Sequence, residues 1–311
     1  MAAMTSDRQA SFVDAKALMA IRNLELRARV VVQGFWNGLH RSPYHGFSVE
    51  FTEYRQYTPG DDPRHLDWKL FARSDRYYIK KFEDETNLRC HLLVDNSRSM
   101  GFSTVGHTKA DYGNTLAATI AWFLSQQGDA TGLLTFDATI RDYLPPKARK
   151  SHLRQIMLAL EKPASGIATD LDAPLQRIAD LVRRRGLLIL ISDLMAPVET
   201  LEKNLGALVA SGHEVVVFQV LDPAELNFEF ENASLFQDLE NEQEIYIDPL
   251  VAREAYLEKL NRHNGSLRSV CERHGILFQT MTTDRPMELA LFDFLRGRMQ
   301  RGKAIQRRVL R

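Results

Sequence analysis

Leu92-Leu93-Val94-Asp95-Asn96-Ser97-Arg98-Ser99-Met100-Gly101 is the stretch whose reading decides the fold. A short apolar run bounded by polar residues reads as a buried strand. It ends on a carboxylate, followed by hydroxyls at alternate positions ahead of a Met-Gly turn. Asp95, Ser97 and Ser99 can therefore all face one small cation beyond the strand end. Hard oxygen donors of this kind suit Mg²⁺ or Mn²⁺ rather than zinc. The expectation is a metal-dependent binding site on an open α/β sheet.

Outward from this stretch, strand-like runs recur near 89–94, 131–136, 187–192, 214–221 and 276–280, with helical periodicity between them. Tyr112, Leu116, Ile120 and Phe123 mark one helix; Leu171, Leu175, Ile178 and Val182 mark another. The second has Asp170 or Asp172 as a candidate cap, Pro174 in its first turn and Gly186 past its end. A last helix starts near Pro286, with Leu289, Phe292, Leu295 and Met299 expected inward. The Asp137-Ala138 turn predicts a hairpin that adds one antiparallel strand. Such alternation implies an α/β fold, a doubly wound, mostly parallel sheet with helices on both faces. Residues 10–32 read as one helix, with Leu18, Ile21, Leu24 and Ala28 on a single face. From Phe35 to Glu85 the chain is rich in aromatics, Gly, Pro and charge, which predicts a small β-rich subdomain. Between Asp222 and Asp248 there are nine acidic residues and no Lys, Arg or His. The aromatic and aliphatic residues among those acids predict a β-rich insertion.

Two later segments extend the first one. The run Leu187–Ser192 ends in Asp193, a second carboxylate at a strand terminus, and the 166–170 loop delivers the hydroxyl of Thr169 at a helix start. Doubly wound sheets bind ligands beyond the carboxyl ends of their strands, where the strand order reverses. Strands 89–94 and 187–192 flanking that point would make Asp95 and Asp193 neighbours. The competing account is a metal-free one, in which these hydroxyls serve only turn hydrogen bonds.

The ordered set Asp95, Ser97, Ser99, Thr169 and Asp193 resembles the metal-ion-dependent adhesion site of the von Willebrand factor A fold. The resemblance implies that Ser97, Ser99 and sometimes Thr169 bind Mg²⁺ (or Mn²⁺) directly, with Asp95 and Asp193 acting largely through bound water. With only two carboxylates nearby, the ion keeps an open position that can accept an Asp or Glu of a protein partner.

A second signature is Tyr57-Thr58-Pro59-Gly60-Asp61-Asp62-Pro63-Arg64-His65-Leu66-Asp67-Trp68-Lys69. Asp61, Asp67, Arg55, Arg64 and Arg73 around Trp68 read either as an internal ion-pair cluster or as a docking surface. The Gly-Asp-Asp-Pro-Arg-His-Leu-Asp-Trp segment, Ala72-Arg73, Gly46…Glu50-Phe51…Arg55-Gln56-Tyr57, Leu221-Asp222-Pro223-Ala224-Glu225 and Asp238-Leu239-Glu240 resemble the MoxR-associated family called domain of unknown function 58. That resemblance spans about Gly34 to Arg298. It implies an adaptor or substrate-presenting partner of a MoxR-type AAA+ ATPase in protein remodelling or maturation. Many such relatives carry an N-terminal pair of membrane helices, and this chain looks like the short soluble form. The resulting division is an N-terminal helix (1–33), the β-rich subdomain (34–88), a von Willebrand factor A-like domain (89–300) with its insertion at 222–249, and a basic tail (301–311).

Composition excludes several classes. Forty basic residues balance forty acidic ones, so no global field favours nucleic acid or anionic membrane. No segment reads as a signal peptide or an integral membrane span, and the expectation is a cytoplasmic protein. Cys90 and Cys271 read as reduced packing residues. No phosphate-binding Gly-x-x-x-x-Gly-Lys-Ser/Thr loop occurs, and no His is evidently paired with Ser97 or Ser99 despite His91, His107 and His152. A non-enzymatic adaptor is thus expected; a metal-dependent phosphoester hydrolase is the alternative.

Overall fold

The structure is a computed structural model that describes residues 13–41, 53–56, 77–81, 88–163, 171–228, 234–237, 244–247 and 249–295. By contacts the chain divides into two units, residues 39–87 and the remainder. Among the described residues of the smaller unit, strand β1 (Glu53–Gln56) pairs antiparallel with β2 (Tyr78–Lys81). The cluster read at 57–73 lies outside the described residues, as does the basic tail.

The larger unit is built on a six-stranded sheet of β3 (Arg89–Asp95), β4 (Ala130–Phe136), β5 (Ile140–Lys147), β6 (Leu187–Ser192), β7 (Glu214–Leu221) and β10 (Leu277–Thr282), in the order β10-β7-β6-β3-β4-β5. All neighbours are parallel except β4 and β5, which form the hairpin expected at Asp137-Ala138. Every residue of β6 is buried and so is nearly all of β3 and β7, the pattern of central strands covered on both faces. Edge strand β5 alternates between half-buried and exposed positions instead.

Between the strands run α3 (Lys109–Gln126), α4 (Lys150–Leu160), α5 (Asp172–Leu181), α6 (Val198–Ala210), α7 (Pro223–Asn227) and α8 (Pro249–Arg273). Leu175, Ile178, Leu201, Leu205, Leu208, Leu267 and Cys271 from α5, α6 and α8 meet Leu93, Leu134, Leu188, Leu190 and Val217 in one core cluster on one sheet face. The opposite face is covered by α3, which contacts β3, β4, β6 and β7. There Gly113 permits close approach, because an added Cβ would stand 3.2 Å from Ile191. Neither cysteine forms a disulfide, and both are buried.

Four local readings need correction. Residues 10–32 do not form one helix. Helix α1 (Ala15–Met19) stops, and α2 (Leu24–Arg41) starts afresh where the Asn23 side chain accepts the Leu26 N–H at 2.8 Å. A capping side chain thus overrides continuous periodicity, and α2 runs past residue 33. Its stripe Leu24, Ala28, Val31, Val32 and Phe35 is buried, with Phe35 packed on Phe123 and Phe292. Asp172 is the first residue of α5 rather than its cap, and accepts from Gln176 and Asn204. Gly186 lies beyond a stretch of irregular chain after α5; its role is to let the backbone approach the Arg89 carbonyl, which an added Cβ would strike.

In the last helix, described over 288–295, the fully buried positions are Glu288, Ala290, Leu291 and Phe294, with Met287 buried just ahead of it. The expected stripe at Leu289, Phe292 and Leu295 is only half-buried, because Phe292 faces the N-terminal helix through Phe35, while Met287 contacts Thr119 of α3. The insertion opens with helix α7, its capping box made by Asp222 and Glu225 with Pro223 at the first position. Short antiparallel strands β8 (Ser234–Gln237) and β9 (Glu244–Ile247) follow.

Candidate functional site

The strand order reverses between β3 and β6, which pair in parallel with Val94 opposite Ile191. That register brings the next residues of both strands together, Asp95 on one and Ser192 with Asp193 on the other. The Ser192 hydroxyl donates to Asp95 Oδ2 at 2.6 Å, and the Ser97 N–H donates to Asp95 Oδ1 at 2.9 Å. The Ser97 and Ser99 hydroxyls lie 3.1 Å apart. A short 3₁₀ turn over Arg98–Gly101 holds this loop, anchored by the buried Met100 and by the Asn96 N–H on the Phe136 carbonyl at 2.7 Å.

The second loop is held as firmly. Leu194, fully buried, has φ +58, a left-handed conformation that a branched residue adopts only when its surroundings impose it. Here the Leu194 N–H donates to Ser192 Oγ at 3.0 Å, and the Leu194 carbonyl meets His263 Nε2 of α8 at 3.0 Å. Gln219 of β7 donates to the Asp193 carbonyl at 3.3 Å and to Asn264 at 2.9 Å. Asp193 is thereby fixed from β7 and α8 together.

Lys109, the first residue of α3, was absent from the sequence-derived set. Its ammonium donates to Asp193 Oδ2 at 2.9 Å and to Glu225 Oε1 of α7 at 2.6 Å, and the side chain is 1% exposed. The remaining Asp193 oxygen accepts the Met195 N–H at 3.3 Å. Glu225 Oε2 closes the α7 capping box by accepting the Asp222 N–H at 2.8 Å. Asp222, also buried, accepts from Thr104 N at 2.9 Å and from the Thr104 hydroxyl.

Burial, and next the charge of Asp193, push the Asp95 carboxyl up to about 6. Burial also raises Glu225, against the opposing pull of Lys109. For Lys109 burial opposes the charge, yet Asp193 and Glu225 outweigh it and hold the ammonium above its ordinary value. Asp193 and Glu225 thus share the one ammonium, while Asp95 is pushed by the neighbouring Asp193 charge; a divalent cation would relieve that repulsion.

Four of the five expected residues lie in the described part, and Thr169 lies outside it. Asp95, Ser97 and Ser99 share one loop, with Ser192 and Asp193 on the neighbouring strand end. Among the described residues no three His, Cys, Asp or Glu are grouped as a metal site; the donor set here is two carboxylates and several hydroxyls. That all-oxygen set fits a small hard cation, and an ammonium already occupies part of the charge position. Ser192 was legible in the sequence as the residue before Asp193. Lys109 carried a weaker signal, a cation at a helix start, where the dipole disfavours it.

Residues 53–266 match the family described as "Protein of unknown function DUF58". The "Uncharacterized protein Rv1480" of Mycobacterium tuberculosis is 29% identical over 291 residues, covering 92% of this chain and 90% of that protein. Among solved structures, the conserved hypothetical protein BatB from Bacteroides thetaiotaomicron superposes with a TM-score of 0.48 at 13% identity, over 68% of this chain and 99% of that one. The SpRpn10 VWA domain does so with a TM-score of 0.38 at 11% identity, over 65% of this chain and 92% of that one.

Proposed function

Since the chain belongs to the DUF58 family, we propose that it is a protein-interaction adaptor whose strand-end site binds a partner through Mg²⁺ or Mn²⁺. The observation that carries this reading is the all-oxygen cluster of Asp95, Ser97, Ser99, Ser192 and Asp193 at the reversal of the strand order, with its surplus of negative charge. Ser97 and Ser99 would hold the ion directly, Asp95 and Asp193 through water. Thr169 would complete the set as in adhesion-type sites. Bound there, the ion supplies an open position for an Asp or Glu carboxylate of the partner. The protein's own contribution is to keep Asp95 and Asp193 oriented by the Ser97 N–H, Ser192 hydroxyl and Met195 N–H.

The sequence resemblance makes a MoxR-type AAA+ ATPase, or a protein it remodels, the proposed partner, met in the cytoplasm. No helix among the described residues is long and apolar enough to cross a membrane. The alternative of phosphoester hydrolysis asks for a carboxylate free to take a proton from water. Asp95 has a donor on each oxygen and so does Asp193, which favours an orienting role for both.

The test is a pull-down of the MoxR-type ATPase from the same organism by the immobilised chain. It is run with Mg²⁺, with EDTA and with Asp95→Ala, alongside a phosphatase screen. Capture that requires Mg²⁺ and Asp95 is the expected result. Capture indifferent to both removes the metal, and metal-dependent turnover in the screen would establish the hydrolase.

A further inference from the structure

Lys109 has no part in the adhesion-type reading, yet the fold spends a buried charge on it. A cation at the first position of an 18-residue helix meets the positive end of the helix dipole. Its desolvation is an added cost that only close carboxylates offset. Those carboxylates come from positions 84 and 116 residues further along the chain. The two are not equivalent. Asp193 is fully buried in the strand-end cluster with Asp95, whereas Glu225 is 18% exposed and belongs to α7, the start of the insertion. One ammonium therefore bridges the candidate metal site to a carboxylate outside it, and it engages one of the two carboxylate oxygens of Asp193.

We propose that Lys109 is a tethered cation that competes with the divalent ion for Asp193, neutralising Asp193 when the site is empty and retained by Glu225 alone when it is filled. This rests on the divalent-cation reading above and adds to it the element that sets affinity. A fixed positive charge beside a divalent cation repels it, and removing that charge strengthens binding. Removing Glu225 does the reverse, since Lys109 then has only Asp193 to pair with. Opposite effects from the two partners of one ion pair distinguish competition from a merely structural role, which predicts weaker binding for both.

The experiment is calorimetric titration of the full chain with Mg²⁺ and Mn²⁺, with free Mn²⁺ followed by electron paramagnetic resonance. Wild type, Lys109→Met, Glu225→Gln and Asp95→Ala are compared. Expected are binding at least tenfold tighter in Lys109→Met, several-fold weaker in Glu225→Gln, and lost in Asp95→Ala. Binding by Lys109→Met where wild type shows none supports the proposal equally. Equal or weaker binding by a folded Lys109→Met overturns it while leaving the metal reading intact; absence of binding by every chain removes both. If Lys109→Met loses its thermal transition without metal, recovery of that transition on adding Mn²⁺ supports the competition. Without recovery, Glu225→Gln decides: weakened binding supports the proposal and unchanged binding overturns it.

Discussion

Asp95→Asn should stabilise this protein in the absence of metal and abolish what metal adds. The carboxyl of Asp95 stands at about 6 in the fold against an ordinary 3.8, chiefly from burial and then from Asp193. A group raised in this way favours folding while protonated, and that contribution is lost as pH rises through 6. At pH 8 the ionised side chain therefore costs about 3 kcal/mol, two pH units at about 1.4 kcal/mol each. Asparagine removes that cost and can still accept the Ser97 N–H. Its amide, however, faces the Ser192 hydroxyl, which already accepts from Leu194, a mismatch of about 1 kcal/mol. The net gain is about 2 kcal/mol, or a rise in Tm of about 3 °C for 311 residues at about 2.1 cal/mol/K each. Thermal melts in EDTA at pH 8 and pH 4 read it directly: the gain should appear at pH 8, shrink below about 6 and vanish near pH 4, as the ordinary 3.8 is approached and the unfolded carboxyl also takes up its proton. Added Mg²⁺ should raise wild type alone. A variant that melts below wild type by the same margin at both pH values would refute the charge argument.

Two further outcomes follow from the fold itself. Gly186→Ala should destabilise by about 1–3 kcal/mol, because the new Cβ meets the Arg89 carbonyl where β6 begins beside β3; the midpoint of urea unfolding measures it. His91, lowered to about 4 by burial and then by His213 and Arg89, stays neutral in the fold while the unfolded chain takes up a proton below about 6.5. Stability should thus fall between about pH 6.5 and 4, by up to about 3 kcal/mol. His91→Gln should flatten that part of the pH profile of denaturant unfolding, and an unchanged slope would count against the assignment.

Much of this was written locally in the chain. The runs at 187–191 and 215–218 are apolar throughout and read as covered strands, and Asp137-Ala138 marked the antiparallel hairpin. Asp95 and Asp193 were placed at strand ends by the polar residues that terminate those runs. The helical stripes were less decisive. Residues 10–32 carry a continuous period, yet a single Asn23 side chain splits them. The last helix is apolar on more than one face, since it packs on the N-terminal helix as well as on α3, so its stripe could not be told from periodicity.

The amino-acid sequence by itself determined the sheet, its hairpin and the two strand-end carboxylates, because strand character and strand termination are properties of neighbouring residues. Only the tertiary structure decided that β3 and β6 are adjacent, which makes Ser192 a partner of Asp95. It alone showed that Lys109 balances Asp193 and Glu225. A lysine at a helix start looks like solvated surface until distant elements close over it. Burial then converts an ordinary surface charge into one whose partners must lie within hydrogen-bond reach.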